Sequence, residues 1–343
     1  MRFLRHRVRT FAAIAPAIVL GACASGPVEF LRRPTHPVQW PPAEAEARVR
    51  VEFAYAGAQD VETHPGFFRR LVDAIVGGEQ TEFVSPCGIA SAQQTLFVAD
   101  TGSACVHRID LKTGEHEVWR GSDDFALEMP VGIAVGEESA VYVADSARGR
   151  IVEFRDGEPV RTIGEGRLHR PTGLCWDATQ HRLLVVDTTA ARIVAFSANG
   201  EELASAGTRG AEPGAFNYPT HIAVARDGIV AISDSMNFRV QLLSSELQHM
   251  RTIGQVGRGP GSFASPKGVA FDPDGHVWVV DGLFENVQLF GRDGTLLLAV
   301  GAGGRGIGEL TLPTGICIAP DGLVVLADAG NSRIQVLRYE TKP

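Results

Sequence analysis

The sequence predicts an all-β, six-bladed β-propeller, and three observations carry that prediction. A Pro-x-Gly-apolar start recurs at Pro86, Pro130, Pro171, Pro219, Pro266 and Pro313, with spacings of 44, 41, 48, 47 and 47 residues. An apolar run ending in Asp recurs in the same rhythm, at Asp100, Asp145, Asp187, Asp234, Asp281 and Asp328. A strand-like segment over 48–55 stands alone before the first copy, and the last copy stops one strand short. Four strands in about 45 residues, repeated, is the signature of a propeller blade.

The elements follow in chain order. Arg2, Arg5, Arg7 and Arg9 precede an apolar run from Phe11 to Leu20. That run is too short for a stable membrane span and right for a signal-peptide core. It ends in Leu20-Gly21-Ala22-Cys23, which resembles the lipobox of bacterial lipoproteins. The resemblance implies removal of 1–22, lipidation of Cys23, and a lipid anchor in a Gram-negative envelope. Ala24, in place of Asp, implies sorting to the outer membrane facing the periplasm. An ordinary secretory signal, with Cys23 incidental, is the alternative. Five prolines within 24–46 make 23–46 an extended tether, with Arg32 and Arg33 keeping it solvated.

The propeller is assigned to 47–341, with an insertion at 58–82. Inside the insertion Phe68, Leu71, Val72, Ile75 and Val76 fall at amphipathic-helix spacing, between Pro65 and Gly77. A helix is therefore predicted near 66–76. It covers apolar propeller surface or, alternatively, serves as a lid or docking element.

Each blade reads as strand, turn, strand ending in Asp, short loop, strand, turn, strand. The third strand opens at Arg150, Arg192, Arg239 or Arg333, five residues after the Asp. Fourth strands are exemplified by 158–163 and 295–300. The pattern Pro-x-Gly-Ile-Ala … Val-x-Asp-x-x-Asn-x-Arg-Ile-Gln-Val, cleanest in 313–337 and 219–243, resembles the NHL repeat and extends over about 290 of the 343 residues. Repeat six ends at Tyr339 after its third strand. The 48–55 segment supplies its missing outer strand, a velcro closure that leaves no open sheet edge.

Candidate function lies where the repeat is broken. The six aspartates recur with the blade, and four have the Arg partner, so they are expected to cap turns and pair with Arg. At the Gly of Pro-x-Gly, blade four alone has His221. At the x position, Lys267 departs from Cys87, Val131, Thr172, Thr220 and Thr314. Blade five also has Asn286 in the Arg position and Phe284 in the preceding loop, and Phe238 and Met236 sit in the same loop of blade four. These residues predict a site for an anionic or polar ligand at the top rim of blades four and five, formed by His221, Lys267, Thr220, Thr314, Phe284 and Asn286. Drift at tolerant positions is the competing explanation.

No metal or cofactor is expected. The ten His lack ligand spacing, no Gly-x-Ser-x-Gly elbow occurs, and the Gly-rich loops lack a phosphate-loop ending. Relatives with such blades include amidating lyases and gluconolactonase-type hydrolases. Their channel metal sets are matched here by one His at most. Cys175 and Cys317 read as small residues of crowded inner strands. Cys87 and Cys105 are left open as a disulfide, although strand two should separate them.

The formal charge is −8. Without 1–22, which carry four Arg and no acid, 28 basic residues face 40 acidic ones, or −12. That charge and the signal peptide conflict with nucleic-acid binding. The resemblance implies a non-enzymatic binding or scaffolding module that offers its top face to an envelope protein, peptide or glycan. The alternative is a metal-dependent hydrolase or lyase with its site in the central channel.

Overall fold

A computed structural model describes residues 29–30, 32–41, 49–62, 81–319 and 321–340. The signal peptide, Cys23 and the helix predicted near 66–76 lie outside the described residues. Six antiparallel sheets form the blades. Blade one is Pro86–Ala92, Thr95–Asp100, Cys105–Asp110 and His116–Trp119. Blade two is Pro130–Val135, Val141–Asp145, Arg150–Arg155 and Glu158–Ile163. Blade three is Pro171–Asp177, Arg182–Asp187, Arg192–Ser197 and Glu202–Ala206. Blade four is Pro219–Val224, Val230–Asp234, Arg239–Leu243 and His249–Ile253. Blade five is Pro266–Phe271, Val277–Asp281, Asn286–Phe290 and Leu296–Val300.

Blade six is Pro313–Ile318, Leu323–Asp328 and Arg333–Tyr339, completed by Val49–Tyr55. Tyr55 pairs with Ile334 and Val49 with Tyr339, so the N-terminal strand closes the ring as the sequence implies. A fifth strand, Gln39–Trp40, lies outside it. Within the span read as a tether, residues 32–41 therefore follow the edge of blade six. Val51 N–H donates to Val38 O and Ala54 N–H to Arg32 O, each at 2.9 Å. Arg32 pairs with Asp60 at 2.6 Å, and Val38 and Trp40 pack on the seam between blades five and six.

The apolar core is divided among the six seams between neighbouring blades. Side chains alternate across a strand, so Leu183 and Val185 fill the seam between blades two and three. Leu184 and Val186 fill the next one. The second strand of each blade is buried on both faces, which explains why such strands read as continuous apolar runs. The Pro-x-Gly glycines serve close approach at the ring's centre. A Cβ on Gly132 would stand 1.8 Å from Thr172 O, and one on Gly315 2.1 Å from Cys87 O. Only glycine lets neighbouring innermost strands abut this closely.

Candidate functional site

The six repeat aspartates are fully buried and spent on the blades. Asp234 accepts from Asn217 N (2.7 Å), Arg239 Nε (2.8 Å) and Gln241 Nε2 (3.1 Å). Asp328 does the same with Thr311 N (2.7 Å), Arg333 Nε (2.7 Å) and Gln335 Nε2 (3.1 Å). Arg192 and Arg150 stand 3.4 and 3.9 Å from Asp187 and Asp145. Asp281, lacking an Arg, caps the backbone N–H groups of Ala264, Ser265, Leu283 and Phe284. None of these carboxylates is left for a channel ligand.

Around the channel the x-position residues and their neighbours form a hydroxyl relay. Thr188 Oγ1 donates to Pro219 O and Ser235 Oγ to Pro266 O, each at 2.7 Å across a seam. Ser233 Oγ donates to Lys267 O. Thr314 Oγ1 reaches Pro86 O at 3.2 Å and Cys87 O at 3.3 Å. The relay fixes the tautomer of His221. Ser235 has one proton and gives it to a carbonyl, so Thr220, 2.7 Å away, must donate to Ser235. Thr220 Oγ1 is then an acceptor, and His221 Nδ1, 3.0 Å away, must carry the proton. His221 Nε2 keeps its lone pair and has no partner among the described residues.

Burial, and then the Lys267 ammonium, push the His221 pKa down to about 3, so the ring is neutral. Burial likewise pushes the Cys87 thiol up to about 11, with Lys267 and Thr314 pulling the other way. Lys267 thus acts on groups of blades four and one from its place on blade five. No carboxylate among the described residues lies within 4.0 Å of it. Ser233, the register partner of His221, donates to Lys267 O, so His221 with Thr220 and Lys267 are neighbours across the seam between blades four and five, while Thr314 reaches toward Cys87 of blade one.

Phe284 and Asn286 are not joined to that rim by any hydrogen bond or ring contact among the described residues. Asn286 is on the third strand of blade five, two strands outward from Lys267, and pairs with Asp281. Its Oδ1 is buried without a partner. The Arg position points toward the top loops rather than the channel, as Arg239 does in reaching Glu212 O and Ala215 O.

Sequence reasoning named Met236 in the blade-four top loop but missed the apolar arc to which it belongs, with Tyr218, Leu283 and Leu312 on the top face. Tyr218 (42% exposed), Met236 (55%), Leu283 (64%) and Leu312 (54%) stand in the top loops of blades four to six. Tyr218 and Leu312 precede the repeat proline, where blades one to three and five have Ser85, Met129, Arg170 and Ser265. Met236 and Leu283 follow the repeat Asp by two, where the other blades have Gly102, Ala147, Thr189 and Gly330. Tyr218 and Leu312 also sit at φ 51° and 45°. The left-handed region costs a bulky residue about 1–2 kcal/mol and persists only where the surroundings impose it.

The loops beneath the arc are tied down by one glutamine per blade. Gln241 accepts from Gly214 N (2.9 Å) and donates to Ala215 O (2.7 Å). Gln335 links Gly308 N and Glu309 O, and Gln288 links Gly261 N and Ser262 O. In blades one to three that column holds His107, Val152 and Val194. An aligned column of repeats would have revealed both asymmetries.

Two further polar groups have local explanations. In the seam between blades six and one, Tyr55 OH, His116 and His107 are linked at 2.7 and 2.9 Å. His107 Nε2 stands 3.5 Å from Asp100 and 3.3 Å from Cys105 Sγ. Cys87, Cys105, Cys175 and Cys317 are all free thiols. At the bottom turn of blade five, Asp272, Asp274 and His276 approach one another. Asp272 Oδ2 is already committed to His276 Nδ1 (3.0 Å) and Trp278 Nε1 (3.1 Å).

The NHL repeat family model matches residues 263–291 and 310–337, which fall in blades five and six. The propeller is similar to a gluconolactonase from Xanthomonas campestris, at 15% identity and a TM-score of 0.63, covering 92% of this chain and 98% of that one. It is similar to a virginiamycin B lyase from Staphylococcus aureus, at 12% identity and a TM-score of 0.55, covering 74% and 95%. An auxiliary nutrient binding protein from Bacteroides thetaiotaomicron shares 12% identity with a TM-score of 0.61, covering 76% of this chain and 70% of that one. Identities this low establish the fold alone. No curated protein matches the sequence.

Proposed function

We propose, starting from a six-bladed propeller that carries NHL repeats, that the chain is a non-enzymatic binding or scaffolding module. It takes a protein, peptide or glycan partner on the top face of blades four to six, and the lipid on Cys23 holds it at the cell envelope. The observation that carries this reading is the exposed apolar arc, because four large apolar side chains held out on glutamine-braced loops, two of them (Tyr218 and Leu312) in left-handed backbone, are ready to be buried. Capture of partners from an envelope extract by the full chain tests it. Met236→Asp with Leu283→Asp should lose the captured set, and Leu203→Asp with Leu297→Asp on outer strands should keep it. Equal retention by both pairs contradicts the reading.

One observation favours a channel enzyme instead, namely the His221 Nε2 lone pair presented beside Lys267. Against it, the rim offers one imidazole, a thiol held protonated and a cation, which is a poor donor set for a divalent metal. A stoichiometric metal lost on His221→Gly would favour the hydrolase or lyase.

A further inference from the structure

The channel rim has two polar ends with opposite demands. Lys267 is an ammonium with no carboxylate in reach among the described residues, so it calls for an anion. His221 Nε2, its tautomer fixed by Ser235 and Thr220, is an acceptor, so it calls for an N–H or O–H donor. A bare anion satisfies the first and is repelled by the second. Ser233, paired with His221, donates to Lys267 O, so the two groups are neighbours across one seam, and a single ligand group can serve both only if it presents an anionic acceptor and a donor together.

We propose that this rim captures the carboxyl terminus of a partner polypeptide that ends in apolar residues. The terminal carboxylate accepts from Lys267 Nζ. The N–H of the same terminal residue, one Cα away, donates to His221 Nε2. The apolar side chains leading to the terminus lie on Tyr218, Met236, Leu283 and Leu312. The inference rests on the top-face reading and narrows its partner to one chemistry. Charge complementarity selects the carboxylate, and the arc beside it selects apolar neighbours over a polar sugar acid. Entry end-on suits a channel whose innermost strands abut through glycine.

The blades themselves supply substitutions that keep the fold, since Thr is the residue of blades three, four and six at the Lys267 position and Gly that of the other five at the His221 position. The probe is N-acetyl-Leu-Leu-Phe, as free acid and as C-terminal amide, titrated calorimetrically into the full chain. The free acid should bind about 10- to 100-fold more tightly than the amide, the value of one charge-assisted hydrogen bond. Lys267→Thr should abolish that preference, and His221→Gly should weaken the free acid about threefold or more. Met236→Ser with Leu283→Ser should weaken both forms and leave their ratio. Unchanged melting temperatures establish that the variants fold. Equal binding of acid and amide, a preference that survives Lys267→Thr, or no saturable binding of the acid at millimolar concentration overturns the proposal. Partner capture that still depends on Met236 and Leu283 would then leave the top-face reading standing.

Discussion

Tyr55, His116, His107 and Asp100 run as a line of hydrogen bonds through the seam between blades six and one, with Phe83 edge-on to His107 at 4.6 Å. With both rings neutral, Tyr55 donates to His116, His116 to His107, and His107 to Asp100. Burial, and then the neighbouring His107, push the His116 pKa down to about 3. The folded chain thus withholds a proton that the unfolded chain takes up near pH 6.5. The stability is present above pH 6.5 and is lost as pH falls from 6.5 toward 3. At pH 5 the loss from His116 is about 2 kcal/mol. His107 has the opposite sign. Burial lowers its pKa, but hydrogen bonds to Asp100 and Cys105 outweigh burial and hold it up, so its contribution fades only above pH 6.5. Denaturant melts at pH 7 and pH 5 should show His116→Phe losing less stability on acidification than the parent, and equal losses contradict this account. The break in the Gln column at His107 was readable from the repeats. Its link to Tyr55 was not, because that contact depends on the ring's closure. The exposure and left-handed backbone of Tyr218 and Leu312 are likewise properties of the folded loops.

At the scale of the element, the strand Glu158–Ile163 was legible to its exact bounds, since the Asp156-Gly157 turn precedes it and Gly164 follows it. The closing strand was legible to one residue, through the missing fourth strand of repeat six. The edge strand Gln39–Trp40 was not, because five prolines argue for an extended tether and nothing local announces that Trp40 finds a core. Innermost strands obey a tighter constraint than pattern conveys. Gly132→Ala should destabilise by about 1–3 kcal/mol, since its Cβ must displace the Thr172 carbonyl. Gly259→Ala, with no atom within 4 Å of the added carbon, should be tolerated in the same thermal melt. Similar costs at both positions would refute the abutment. His221 occupies the equivalent column in blade four, where Ser233 spans the seam to Lys267 O.

Across the whole molecule the propeller is symmetric in backbone and asymmetric in surface. Six repeats build six seams. Blades four to six add the braced loops, the exposed apolar arc and the channel pair His221 and Lys267 on one face. The sequence exposed the channel pair as departures from a column, and missed the arc because an apolar residue in a loop does not reveal whether it is covered. Its outer edges carry Leu203 and Leu297 as isolated exposed residues, which are ordinary on a protein surface. The proposed binding surface is the face, not the edge. A photo-cross-linking residue placed at 236 or 283 in the full chain, in envelope extract, tests it. Discrete adducts from those positions and none from 203 or 297 are predicted; adducts from the edge positions alone would contradict the claim.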